Sequence, residues 1–139
     1  REKQSVMREL KQLPTFNMFG TKKEVSYLPE ILNPDERVLG LIPDFLDGNT
    51  WIIALTDRRV IFLDKGMLYG LKQRELPLDK INSNLTKTRD YYSVQLQYKN
   101  GASAIKIENI DKDDIGSFVD SLNAAIDSYK FQSSQLFSH

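Results

Sequence analysis

The chain contains no cysteine, and its single histidine is the last residue, His139. Without cysteine the protein has no disulfide, no thiolate nucleophile and no cysteine-ligated zinc or iron site. A Ser-His-Asp triad or a histidine metal site would have to be built from a terminal residue. The sequence therefore predicts no catalytic residues, no metal site and no cofactor.

Long apolar runs and nucleotide-binding motifs are also absent. No apolar run approaches the roughly 20 residues that a membrane-spanning helix needs, and neither a GxGxxG nor a Walker A pattern occurs. No basic segment followed by an apolar stretch marks a secretory signal. These absences predict a chain without a transmembrane segment, located in the cytoplasm.

Charge is balanced overall but unevenly distributed, with 19 basic and 19 acidic residues. Residues 58–89 carry 8 basic and 3 acidic groups, a net +5, whereas residues 90–139 carry 4 and 7, a net −3. The overall balance argues against nucleic-acid binding, which usually requires a high isoelectric point and a clustered basic face. The basic stretch is either the solvated face of a sheet or a surface for anionic partners. In the second case the candidate anion or lipid contacts are Arg58, Lys72, Arg74 and Lys87.

Seven strand-like runs, separated by turn residues, occupy the middle of the chain. We expect strands at residues 37–46, 50–56, 59–65, 71–78, 81–88, 91–99 and 102–108. The dipeptide Asn100-Gly101 is the strongest hairpin signal between them, and the sixth run alternates apolar and polar residues from Tyr92 to Tyr98. Short turns between successive runs predict antiparallel pairing throughout.

A long amphipathic helix follows the last strand. Apolar residues recur there with the helical period, and acidic residues at positions 111, 113 and 114 suit the positive end of the helix dipole. The apolar stripe comprises Ile115, Phe118, Val119, Leu122, Ile126 and Tyr129. We predict a helix over residues 111–130 that closes one end of the sheet.

The first 32 residues have a helical pattern of their own. Val6, Met7, Leu10 and Leu13 form an apolar stripe that ends at Pro14. A second short helix is expected after Thr21, with Val25, Leu28 and Leu32 on one side. Two short helices cannot bury their apolar faces alone, so they pack on the main domain or on another chain.

Seven antiparallel strands followed by one helix are typical of a pleckstrin-homology (PH)-like fold. We therefore predict a mainly β protein, a seven-stranded antiparallel barrel capped by a C-terminal α-helix and preceded by short N-terminal helices. The expected organisation is a helical extension at residues 1–32, the PH-like domain at 33–130 and a tail at 131–139.

Three segments resemble the bacterial PH domain family of the YokE type. They are LGLIPDFLDGNTW at residues 39–51, LTDRRVIFLDKG at 55–66 and LPLDKI at 76–81. The resemblance covers roughly residues 28–128 and implies a PH-like fold without enzymatic activity, in a family found in low-GC Gram-positive bacteria and their prophages. It implies no particular ligand. The TDRRVIF piece also occurs in GRAM and other PH-like domains, so it indicates the fold more than the family.

The loop between the first two strands argues against phosphoinositide binding. PH domains that bind these lipids place several Lys and Arg residues in this loop. Here residues 44–50 read DFLDGNT, with two acids and no base. Their field would repel an inositol phosphate.

An apolar run between the third and fourth strands is a candidate contact surface. Met67, Leu68 and Tyr69 lie there between two glycines, and exposed apolar turns often mark a partner surface. The alternative is that the run folds back onto the protein core. The sequence thus leaves two functions open. One is protein interaction or self-assembly through these residues, and the other is lipid binding through the basic stretch, which high salt would weaken.

Overall fold

The structure, a computed structural model, describes residues 3–13, 25–46, 49–64, 73–87, 89, 92–110 and 112–137. It begins with a helix α1 (Lys3–Lys11), a 3-10 turn (Val25–Tyr27) and a short helix α2 (Leu28–Ile31), and it ends with a long helix α3 (Lys112–Phe137). The seven strands between them are β1 (Val38–Leu46), β2 (Asn49–Thr56), β3 (Arg59–Asp64), β4 (Gln73–Pro77), β5 (Ile81–Lys87), β6 (Tyr92–Tyr98) and β7 (Ser103–Ile110). All seven predicted strands are confirmed.

The strands form two antiparallel sheets. Sheet 1 has the strand order β1-β2-β3-β4, and sheet 2 has the order β5-β6-β7. The mainly β, PH-like architecture with a C-terminal helix is as predicted, but the closed seven-stranded barrel is wrong. Strands β1 and β7 pack against each other without forming a ladder in the described part of the chain.

The break between the sheets has a local cause at the end of β4. Pro77 has no N–H with which to extend a ladder. The next residue, Leu78, donates its N–H to the carbonyl of Arg58 at 3.0 Å, and the carbonyl of Lys80 accepts a hydrogen bond from the N–H of Lys99 at 3.1 Å. A 3-10 turn (Leu78–Lys80) therefore carries the chain from one sheet to the other.

The predicted Asn100-Gly101 hairpin joins β6 to β7. Gly101 has a φ of +91°, a conformation that favours glycine. The N–H of Tyr98 donates to the carbonyl of Ala102 at 2.9 Å, and the side-chain oxygen of Asn100 accepts from the N–H of Ala102 at 2.9 Å. Both residues of the dipeptide thus contribute to the turn.

The main core lies between the two sheets and α3. The helix places its predicted apolar stripe there, and Phe118 and Leu122 are 3% and 0% exposed. The helix continues to residue 137, seven residues beyond the predicted end. Residues 131–137 contain neither proline nor glycine, so nothing in this polar stretch stops a helix that packing has already nucleated.

A second core covers the other face of sheet 1. Val6 and Leu10 of α1 are 1% and 0% exposed and pack with Leu28 of α2 against this sheet. A carboxylate oxygen of Glu9 also accepts a hydrogen bond from the N–H of Val38. The apolar stripe of α1 is therefore buried within its own chain, which removes it as a free surface for another chain.

Candidate functional site

The Thr-Asp-Arg-Arg turn between β2 and β3 is the centre of a buried polar cluster. The Nε and Nη2 of Arg59 each donate to one carboxylate oxygen of Glu36 at 2.9 Å, and Nη2 also reaches the carbonyl of Ile31 at 2.8 Å. The hydroxyl of Thr56 donates to Glu36 at 2.7 Å. Glu36 and Thr56 are both 0% exposed. A bidentate pair of this kind gives geometric specificity as well as energy.

The hydrogen bonds of this cluster favour the ionised forms of Glu36 and Arg59. Burial opposes the ionisation of Glu36, but hydrogen bonds from Arg59, Thr56 and the N–H of Asn33 outweigh it, so the pKa of Glu36 lies below its usual value. Hydrogen bonds to Glu36 and Glu75 raise the pKa of Arg59. Glu36, Thr56 and Arg59 together attach the segment before β1 to the β2–β3 turn, so these three side chains have a structural role.

Three of the four predicted anion or lipid contacts are described residues, and they lie on different elements of the fold. Arg58 forms an exposed ion pair with Asp35 at 2.6 Å, and Lys87, at the end of β5 in the other sheet, lies 5.6 Å from the ring centre of Tyr92. Arg74 belongs to β4, opposite Phe62. Lys72 lies outside the described residues.

The predicted partner-binding residues Met67, Leu68 and Tyr69 also lie outside the described residues. The segment that contains them joins β3 to β4, whose facing residues nearest to it are Leu63 and Gln73. That this apolar segment is a contact surface therefore stays a prediction.

A groove that the sequence did not predict lies between β1 and the first turns of α3. We call it the β1–α3 groove. It has a volume of about 100 Å³. Its lining consists of Leu39, Gly40, Leu41, Ile42, Asp114, Ser117, Phe118 and Ser121.

Leu39 stands beside this groove because of a β-bulge. Val38 pairs with Thr56 and Gly40 with the adjacent Leu55, so Leu39 is an extra residue in β1. Bulges of this kind redirect a side chain and are frequent next to functional sites. Among the described residues, Leu39 is the large apolar side chain that remains exposed, at 39%.

Gly40 sets the depth of the groove. A Cβ atom at this position would lie 3.2 Å from Cδ2 of Phe118. Any residue other than glycine would therefore require Phe118 or β1 to move. Glycine inside a strand often marks such a close approach. Gly40 within an apolar strand was thus a hint in the sequence of this close approach, but not of the groove itself.

The exposed side of α3 next to the groove is acidic. Asp113, Asp120 and Asp127 are exposed and recur every seven residues, so they lie on one side of the helix over about 21 Å. Asp114 is a fourth carboxylate of this helix, and it belongs to the groove lining. From residue 113 to residue 128 the sequence contains no basic residue, so this side of α3 carries a negative potential.

Two other concavities of the described chain are lined mainly by charged and polar residues. One lies between α1 and Arg37, where Glu9 is already held by Val38, and the other lies beside Lys80 and Lys99. Within the described ranges, no three His, Cys, Asp or Glu side chains stand close enough together to hold a metal ion. Nor does a described helix have the length and apolarity needed to cross a membrane.

Two solved structures have a similar fold. One is a DUF1696 family protein with a pleckstrin-homology domain from Shewanella loihica PV-4, 14% identical, with a TM-score of 0.55 over 71% of this chain and 89% of that one. The other is a pleckstrin-homology domain from Shewanella amazonensis SB2B, 15% identical, with a TM-score of 0.52 over 73% and 93%. No curated protein matches the chain significantly. A family model, described as the bacterial PH domain, matches residues 32–124, and on this match the chain belongs to the bacterial PH domain family.

Proposed function

We propose that this chain is a non-catalytic protein-binding module and that the β1–α3 groove, together with Leu39, is its contact surface. PH domains are generally binding modules, and the three charged residues of the TDRR motif, Asp57, Arg58 and Arg59, each have a partner within the chain. The observation that carries the proposal is the bulge, because it places an apolar side chain in solvent next to an apolar concavity.

The size of the groove favours a protein partner over a small molecule. Pockets for small ligands usually measure about 300–1,000 Å³, whereas this groove has a volume of about 100 Å³. Space of this size suits one anchoring side chain. Protein interfaces commonly depend on a few such anchors set into small apolar depressions.

The predicted contact residues Met67, Leu68 and Tyr69 fit the same proposal as a second apolar surface. We also propose the narrower YokE type, with its occurrence in Gram-positive bacteria and prophages, and a cytoplasmic location. These rest on the segments at residues 39–51, 55–66 and 76–81 and on the composition of the chain.

Lipid binding through Arg58, Lys72, Arg74 and Lys87 has less support. Arg58 is paired with Asp35, and Lys87 is in contact with the ring of Tyr92. A lipid headgroup would have to compete with Asp35 for Arg58, and it would have to bind Lys87 beside the ring of Tyr92. No described feature favours this function over protein binding.

A peptide-display selection tests the proposal. A random peptide library would be selected on the wild-type chain, on Leu39→Asp and on the control Ala102→Asp, which changes an exposed turn residue outside the groove. We expect selected peptides to share an apolar anchor and to lose binding only to Leu39→Asp, because a buried unpaired charge is costly. Peptides that bind all three proteins equally, or binding only to anionic vesicles at low salt, would overturn the proposal.

A further inference from the structure

We propose that the β1–α3 groove of one copy of this chain takes the Met67-Leu68-Tyr69 segment of a second copy. This inference rests on the proposed function, since it names the partner of the same groove. The proposed contact is between the β1–α3 groove, which the structure shows, and the apolar segment, which the sequence predicts as a contact surface.

Charge complementarity is the first argument. From Lys65 to Arg74 the sequence has three basic residues and no acidic one, and the apolar run lies between them. The groove has an acidic border on α3, where Asp120 is exposed and Asp114 belongs to the lining. Opposite potentials of this kind steer two surfaces together and fix their register.

Size is the second argument. A groove of about 100 Å³ has room for one long flexible side chain such as Met67 or Leu68. Methionine adapts to irregular apolar gaps. The remaining residues of the Met67-Leu68-Tyr69 segment would then cover Leu39. This would explain why Leu39 is exposed in a single chain.

The reach of the segment favours a second copy as its partner. Asp64 pairs with Trp51, and Trp51 pairs with Asp44, so the segment starts two strands from β1 and five residues beyond Leu39. At about 3.3 Å per residue and 4.8 Å per strand this separation is roughly 19 Å. Leu68 follows Asp64 by four residues, which span about 14 Å at most. Leu68 of the same chain could therefore approach even the nearer end of the groove only with the segment fully extended, so we assign the contact to a second copy.

The proposed contact joins two different surfaces, so each copy has one groove and one segment to offer. Contacts of this head-to-tail kind form a ring if the rotation closes and a filament if it does not. The expected solution species is therefore a closed dimer in which two copies exchange segments, a larger ring, or a filament that grows with concentration. An assembly of this type also permits a complementation test.

The experiment measures solution mass for the full chain and two blocked variants. Leu39→Asp blocks the groove, and the double variant Met67→Asp with Leu68→Asp blocks the segment. Each should weaken self-association by about 30-fold or more, as loss of an interface anchor does, whereas Ala102→Asp should not. Circular dichroism and thermal unfolding establish that each variant is folded.

Mixing the two blocked variants is the decisive step. One retains an intact segment and the other an intact groove, so together they should form a one-to-one pair that neither forms alone. In the mixture, Asp120→Lys on the groove-bearing copy should weaken the pair, and higher salt should weaken it further. These results would support the proposal.

Two results would overturn the inference. One is a wild-type chain that stays monomeric up to millimolar concentration, and the other is a mixture of blocked variants that fails to pair although the wild type assembles. If the wild type is monomeric but the display selection still yields peptides dependent on Leu39, this inference fails and the proposed function stands. If neither assembly nor peptide binding depends on Leu39, both fail.

Discussion

Gly40 and Phe118 fix the distance between the first strand and the C-terminal helix. A Cβ atom on Gly40 would lie 3.2 Å from Cδ2 of the phenylalanine ring, which is 3% exposed and has little freedom to move. Gly40→Val should therefore lower the free energy of unfolding by about 1–3 kcal/mol through overpacking. Denaturant unfolding measures the change.

Gly116 is the matched control for this prediction. It lies in α3 and a Cβ atom there would meet nothing within 4 Å. Gly116→Ala should raise the free energy of unfolding by roughly 0.5–1 kcal/mol, because alanine restricts the unfolded chain and favours the helix. Equal effects of the two substitutions would mean that Phe118 does not limit the space at Gly40.

The apolar stripe of α3 should contribute strongly to stability. Phe118→Ala or Leu122→Ala should each cost roughly 2–5 kcal/mol through lost burial and a cavity in the main core. The exposed Ser128 on the same helix provides a control, since Ser128→Ala removes no buried contact. An unchanged denaturant midpoint for both core variants would show that the helix does not close the core.

Helix α1 should stabilise its own chain. Leu10 is 0% exposed against the outer face of sheet 1, so Leu10→Ala should lower the free energy of unfolding by about 2–5 kcal/mol. Gln12, just after the helix, is exposed, and Gln12→Ala should change little. If Leu10→Ala alters the solution mass but not the stability, α1 packs on another chain.

The Glu36–Arg59 pair should be the most sensitive polar contact. Arg59→Ala leaves the Glu36 carboxylate buried without its main partner and should cost about 3–5 kcal/mol. Asp35→Asn, which removes the negative charge from the exposed pair with Arg58, should cost less than about 1 kcal/mol. Similar losses for both variants would contradict the structural role assigned to the buried cluster.

The same pair predicts the direction of a pH effect. Because the pKa of Glu36 is lower in the folded protein than the ordinary value of 4.5, its contribution to stability is complete above that value. It is lost as the pH falls through the folded pKa. Unfolding measured from neutral to acid pH should therefore show a steeper loss for the wild type than for Glu36→Gln. Parallel curves would show that Glu36 does not gain its partners on folding.

Local patterns predicted most of the fold. The alternation from Tyr92 to Tyr98 and the Asn100-Gly101 turn depend on neighbours in sequence, and both appear in β6 and its hairpin. The buried outer face of sheet 1 had a weaker signal. Ile52, Ile53 and Ala54 form an uninterrupted apolar run in β2, which is typical of a strand covered on both faces.

The remaining features depend on contacts between distant parts of the chain. The bulge at Leu39 exists only relative to its partners Leu55 and Thr56. Glu36 and Arg59 are 23 residues apart, and neither residue type alone indicates burial. The groove was therefore beyond the reach of sequence patterns, although Gly40 within an apolar strand hinted at the close approach.

The central claim is that the β1–α3 groove is a contact surface for a second copy of the chain, and amide chemical shifts measured over a dilution series test it most directly. We predict that, as concentration rises, the shifting amides cluster at residues 39–42 and 117–121, and that Leu39→Asp abolishes these changes. Shifts that are absent at every concentration, and that arise instead around Arg58 and Lys87 when anionic vesicles are added in low salt, would contradict the account.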